Sequence, residues 1–213
     1  MDPISNYKFI NDKINSLAKN VTLVVVTKTF TMNVIKPLID LGHLHFGENK
    51  VQEASAKWTD VLKVSKNLKL HMLGKIQSNK VDLIVKIFSF IHSLDSEKLA
   101  NKFYESETKA SKKLNYFIQV NIGNESQKGG LNLNVLPDFV KFCKFELKLN
   151  ILGLMCIPPF DSKPDFFFNK LKELNDSFNF KDLSMGMSSD YESAIKHGSN
   201  YIRIGSLIFG KRV

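Results

Sequence analysis

Between Thr22 and Gly210 the chain alternates short apolar, β-branched runs with longer stretches of helical spacing, and this alternation leaves few ways to fold. The strand-like runs are 22–28, 44–49, 69–74, 88–95, 115–123, 150–157, 181–188 and 200–210. Helical periodicity marks 31–41, 50–64, 79–87, 96–112, 132–147, 164–178 and 190–197, with a further helix at about 3–19 ahead of the first strand. Thr31, Ser96 and Ser189 stand where N-caps belong, the last two followed by Glu97 and Glu192. Strands separated by helices pair in parallel through crossovers. Eight such units close into an α/β architecture, a (β/α)8 TIM-type barrel, with a doubly wound open sheet as the alternative. No composition break or Gly/Ser linker divides the 213 residues, of which 43% are hydrophobic, so a single domain over 1–213 is expected.

A barrel of this kind carries its chemistry at the C-terminal ends of the strands. Lys28, Asn49, Gly74, Asp95, Asn121 and Ser188 fall at such ends, and Arg203, Gly205 and Ser206 lie on the eighth run. In "TLVVVTKTF" the side chains alternate, so Val24, Val26 and Lys28 share one face, and if that face lines the barrel the ammonium is carried to its open end. A desolvated lysine is a usable amine nucleophile; a snorkelling head group at the rim is the structural alternative. The segments "SMGMSSDYESAI" and "YIRIGSLIFG" bring Gly and Ser to two adjacent strand ends, where barrels often hold a phosphate on backbone N–H groups. Ser188 and Ser189 are placed for this, although Ser189 with Glu192 also fits an ordinary capping box. Arg203 shares parity with Tyr201 and Gly205, which sends its guanidinium into the barrel beside that loop or into an internal ion pair. An amine and a phosphate site together suit a phosphorylated carbonyl compound, and pyridoxal 5'-phosphate has both ends.

Other features lead away from competing functions. Lysine and arginine total 30 against 21 acids, a formal charge of +9, but they are scattered as singles and pairs without a nucleic-acid-binding motif. A solvated basic surface is the reading, with no nucleic-acid partner. Cys143 and Cys156 form neither a metal-spaced cluster nor a disulfide framework and read as small buried side chains. His43 and His45 make an H-x-H pair without a third ligand, so no metal is expected, and His71 and His92 read as structural histidines. The N-terminal stretch lacks a signal peptide, and no segment approaches the roughly 18–20 apolar residues that span a bilayer. A cytoplasmic location without a membrane partner is expected.

The segments "VTKTF", "HFGENKVQEASAKW", "HMLGKIQSNK", "VNIGNESQKGG", "ILGLMCIPP" and "LSMGMSSDYESAIKHGSNYIRIGSLIFGKR", in this order over essentially the whole chain, resemble the pyridoxal phosphate homeostasis protein family of the YggS/PROSC type. The resemblance implies a barrel like the alanine racemase N-terminal domain, with pyridoxal 5'-phosphate held as an internal aldimine on Lys28. It further implies phosphate contacts from Ser188, Gly205 and Ser206, Arg203 near the pyridine nitrogen, and Asn49 close to the cofactor. The implied role is intracellular vitamin B6 homeostasis, buffering the cofactor or delivering it to apo forms of enzymes that use it, with no catalytic residue and with the chain acting as a monomer. The alternative is a racemase or lyase on the same cofactor. Racemases of this fold take a second acid/base from an additional β domain, and the chain ends at Val213 without one. Lys128 matches a family lysine linked to a secondary cofactor interaction, or is an exposed loop lysine beside Gly129 and Gly130. The run "KTFTMN" lacks the proline that many members carry after the lysine and leaves the cap of the following helix to Thr31.

Overall fold

A computed structural model describes residues 2–210 apart from Ser126, Lys128 and Asp161. Among the described residues, eight parallel strands close into a barrel in sequence order. They are β1 (Thr22–Val26), β2 (His45–Glu48), β3 (Lys69–Met72), β4 (Phe90–Leu94), β5 (Asn115–Gln119), β6 (Asn150–Met155), β7 (Asp182–Ser184) and β8 (Tyr201–Ile204). Pairing of β1 with β8, Val24 opposite Arg203, closes the ring and excludes the open sheet.

Helices α2 (Met32–Asp40), α3 (Val51–Val64), α4 (Val81–Ile87), α5 (Glu97–Ala110), α6 (Leu136–Lys141), α7 (Pro164–Ser177) and α8 (Tyr191–Lys196) connect successive strands. The additional N-terminal helix, α1 (Pro3–Leu17), starts where Asp2 accepts hydrogen bonds from the amides of Ile4 and Ser5, with Pro3 at its first position. It buries Ile10 and Ile14, and Asn6 Nδ2 donates to Ile208 O at 3.0 Å.

Alternation along each strand builds two cores. Outward residues such as Leu23 and Val25 meet the helices, whose buried Ile35, Leu38, Ala54, Trp58 and Phe103 complete one continuous apolar layer. The interior of such barrels is usually packed with branched aliphatic side chains. Here it is packed with rings. Phe90, Phe117 and Met155 form an inner cluster with Leu152 and Tyr201. His71 stacks on Phe90 with centroids 4.3 Å apart, and His92 stacks on Phe117 at 4.6 Å.

Several local expectations change. The eighth run does not continue as a strand to Gly210: it ends at Ile204, and Ser206–Phe209 form a short helix, α9, buried at Ile208 against α1. A short apolar run has no periodicity with which to separate the two conformations. Thr31 precedes α2 in extended conformation but makes no side-chain cap, and the cap of α8 is Asp190 rather than Ser189. The helix expected over 132–147 starts at Leu136 and widens into a π turn over Phe142–Glu146.

Candidate functional site

A cavity of about 380 Å³ opens at the C-terminal mouth of the barrel, a size that suits a small organic ligand. Lys28, Asn49, Ser188, Ser189, Arg203, Gly205 and Ser206 all line it, whereas Gly74, Asp95 and Asn121, also at expected strand ends, do not. Val26, Phe30, Leu73, Met155, Ile157 and Met187 supply apolar walls that no sequence motif distinguished from ordinary core.

Lys28 lies just beyond the end of β1, in a turn whose two neighbouring residues are clamped. Thr27 is buried; its N–H donates to Gly47 O at 2.9 Å, and its hydroxyl donates to Glu48 Oε1 at 2.7 Å. Thr29 has φ +72°, a left-handed conformation uncommon for a β-branched residue, and its N–H donates to Glu53 Oε1 at 2.6 Å. Lys57 Nζ joins these parts, reaching Thr27 O at 2.8 Å, Glu48 Oε1 at 2.9 Å and Glu53 Oε1 at 3.1 Å, while Trp58 Nε1 donates to Glu48 Oε1 at 2.9 Å. The first turns of α3 therefore hold the peptide on both sides of Lys28. Sequence reasoning gave these residues no role; the Glu53–Lys57 spacing of four on one helix was the available signal.

Glu48 is fully buried, and Lys57 is its charged partner. Lys57→Met would leave a buried carboxylate without its cation, and such losses typically cost about 3 kcal/mol or more. Urea unfolding should show a drop of that order, with the Lys28 turn loosened; an unchanged midpoint would remove Lys57 from the clamp.

The facing wall comes from the β7–α8 loop and the end of β8. Met187 N–H donates to Asp190 Oδ1 at 2.6 Å, and the amides of Asp190 and Tyr191 return to Met187 O, which puts Ser188 and Ser189 at the crest of a tight turn. Among the described residues, the backbone N–H groups of these two serines have no protein acceptor. Gly186 takes φ +91°, and a Cβ there would stand 2.6 Å from Ala194 Cβ, so the turn needs glycine. Gly74 plays the corresponding part below Asn49, because a Cβ on it would lie 2.2 Å from Asn49 O.

Arg203 is the buried cation of the site, only 5% exposed. Its Nη1 donates to Ser184 Oγ and its Nη2 to Cys156 O at 3.0 Å. These are neutral oxygens, and among the described residues the internal ion pair with Asp or Glu weighed from the sequence does not form. Burial pulls the guanidinium down to about 10. Burial also pushes the thiols of Cys143 and Cys156 up to about 12, which leaves neither as a nucleophile at neutral pH.

Other residues noted in the sequence have local partners. Asn121 brackets Glu125 through its side-chain amide, and Tyr191 O–H donates to Glu192 Oε1 at 3.4 Å. His43 Nδ1 meets Tyr7 Oη at 3.1 Å and its Nε2 meets His45 O, while His45 turns the other way, to His71. Among the described residues no group of His, Cys, Asp and Glu is arranged to hold a metal ion, and no helix is long and apolar enough to cross a membrane. Gln77 and Lys80 line a separate surface hollow with Lys50 and Lys75. Lys128 lies outside the described residues.

Residues 5–213 match the family described as alanine racemase, N-terminal domain. The chain is 36% identical over 199 residues to a pyridoxal phosphate homeostasis protein of Aquifex aeolicus, covering 89% of this chain and 86% of the relative. It is 32% identical over 227 residues to the protein of the same name in Escherichia coli, covering 99% and 97%. Among solved structures, that of PipY from Synechococcus elongatus with PLP bound is similar, with a TM-score of 0.88 and 29% identity over 96% of this chain and 100% of that one.

Proposed function

The chain belongs to the pyridoxal phosphate homeostasis protein family, within the fold of the alanine racemase N-terminal domain, and on that premise we propose that it binds pyridoxal 5'-phosphate at Lys28 and buffers or delivers it in vitamin B6 homeostasis. One observation carries the site assignment: an amine, a serine- and glycine-lined wall with unengaged amides, and a buried cation converge on a single cavity of about 380 Å³.

The residues fit the cofactor. Lys28 would hold it covalently, and Ser188, Gly205 and Ser206 would take its phosphate, with Asn49 and Arg203 against the ring. When bound, the cofactor supplies an aldehyde that bonds an amine and a ring that withdraws electrons from it. The protein tempers that ring. Arg203 brings a positive charge into the cavity, and a cation disfavours protonation of a pyridine nitrogen, which makes the ring a weaker electron sink. The clamp on Thr27 and Thr29 fixes the direction from which Lys28 enters, and the apolar walls exclude water around it. These contributions favour holding the cofactor over driving carbanion chemistry on it, and the apo forms of enzymes that require it are the proposed recipients.

Titration with pyridoxal 5'-phosphate should raise an absorbance near about 420 nm that borohydride fixes onto the peptide containing Lys28. The loaded protein should then activate an apoenzyme that needs the cofactor. Turnover of D- or L-amino acids above that of the free cofactor would replace the carrier with a racemase or lyase; saturated protein without the band would overturn both readings.

A further inference from the structure

Beneath the cavity a line of hydrogen bonds crosses the barrel from strand to strand. His45 Nδ1 on β2 is 3.0 Å from His71 Nε2 on β3, His71 Nδ1 is 2.9 Å from His92 Nε2 on β4, and His92 Nδ1 is 2.7 Å from Ser184 Oγ on β7. The line ends where Arg203 Nη1 on β8 donates to the same serine oxygen. His71, His92 and Ser184 are fully enclosed, and His45 is the half-buried outer end.

Arg203 fixes the direction of every link. A guanidinium only donates, so Ser184 Oγ accepts from it and has one hydrogen left to give. The other partner of that oxygen is His92 Nδ1. Were that nitrogen protonated, the serine O–H would be a buried donor without an acceptor, which folded proteins rarely retain. Ser184 therefore donates to His92, His92 Nε2–H to His71, and His71 Nε2–H to His45. All three imidazoles are neutral and of one tautomer. Burial holds each below its ordinary pKa, in keeping with that state.

Every N–H and O–H in the line points away from Arg203, so the negative ends of successive dipoles face the guanidinium. Buried cations are ordinarily matched by a carboxylate, whereas the hydrogen-bond partners of Arg203 are Ser184 Oγ and Cys156 O. We propose that Ser184, His92, His71 and His45 form a polarised relay in place of that carboxylate, steadying Arg203 with aligned neutral dipoles and leaving its charge uncancelled toward the cavity. The effect is that of a helix C-terminus on a cation, built from side chains. The charged and titratable groups packed around the relay are Lys69 on β3 and His43 ahead of β2 near its outer end, Tyr201 on β8 against His71 and His92, and the Cys156 thiol and Asp190 toward Arg203. Its consequence for the ligand rests on the function proposed above: the four are positioning residues that, through Arg203, keep the cofactor's ring nitrogen unprotonated.

Two measurements separate the relay from the ligand reading. Nitrogen-edited NMR of the cofactor-free protein near neutral pH, assigned with single His→Gln variants, should show His45, His71 and His92 neutral with hydrogen on Nε2. An Nδ1–H tautomer or an imidazolium at His71 or His92 would overturn the relay whatever the protein binds. In the cofactor-loaded protein, His92→Phe preserves the stack on Phe117 and Ser184→Ala removes the terminal oxygen. Each should move the pH midpoint of the bound absorbance upward by about one unit, a tenfold change in proton affinity. His92→Gln, which can accept and donate at the same places, should restore most of it. Unshifted midpoints in both variants would overturn the relay's action on the ligand, whereas failure of wild type to bind the cofactor would overturn the functional reading and leave the NMR result standing.

Discussion

Lys28→Ala should abolish the absorbance near about 420 nm and the borohydride-fixed adduct while leaving the fold intact. The size of the effect follows from chemistry: the ε-amine is the one group of the proposed set that can bond the aldehyde, and no rearrangement of serines or glycines replaces it. Lys28→Arg keeps the charge but offers a guanidinium that stays protonated, so it should fail as completely. The phosphate wall persists in both variants, and weak, reversible binding should remain measurable by dialysis. Stability should change little, because Thr27, Thr29, Glu48, Glu53 and Lys57 hold the turn through bonds that the substitution leaves in place. A surviving adduct in Lys28→Ala would move the attachment point to another lysine.

Acid should unfold the protein well before its carboxylates are all protonated. In the unfolded chain each imidazole takes up its proton near about 6.5. In the fold, desolvation holds His43 down to about 4 and His71 and His92 well below 6.5. The native state therefore binds fewer protons, so stability is complete above about 6.5 and declines as the pH falls from there. Each such histidine removes about 1.4 kcal/mol per pH unit, so the three together remove about 4 kcal/mol per unit. Against a typical stability of about 5–15 kcal/mol, about one to four units should suffice. Urea midpoints measured from neutral pH down to about 4.5 test this; a flat profile would show that the imidazoles protonate in place. His71→Phe, which removes one of the three, should flatten the slope by about a third.

The candidate site was legible where strand alternation alone decides direction. The parity of Tyr201, Arg203 and Gly205 carries the guanidinium inward, while that of Val24, Val26 and Lys28 pointed to the right end of the barrel although β1 stops at Val26 and a turn carries the amine the last two residues. The order of strands and helices led to the closed barrel for the same local reason. What stayed hidden depends on contacts between elements distant in the chain. Ser184 reads as one more serine in "LSMGM" until β4 and β7 face each other across the interior, and 92 positions separate it from His92. Glu48 and Lys57 acquire meaning once α3 packs on the end of β1. The end of β8 was misread because "SLIF" is apolar in either conformation, and its helix is decided by packing on α1.

The ring-filled interior also governs traffic. Among the described residues Phe90, Phe117, His71 and His92 fill the interior beneath the cavity, so the open C-terminal mouth is the route out for a molecule held there. Loading and unloading share one doorway and must take turns. On the function proposed above, a recipient protein would have to present its own vacant site at that rim, face to face with the occupied one.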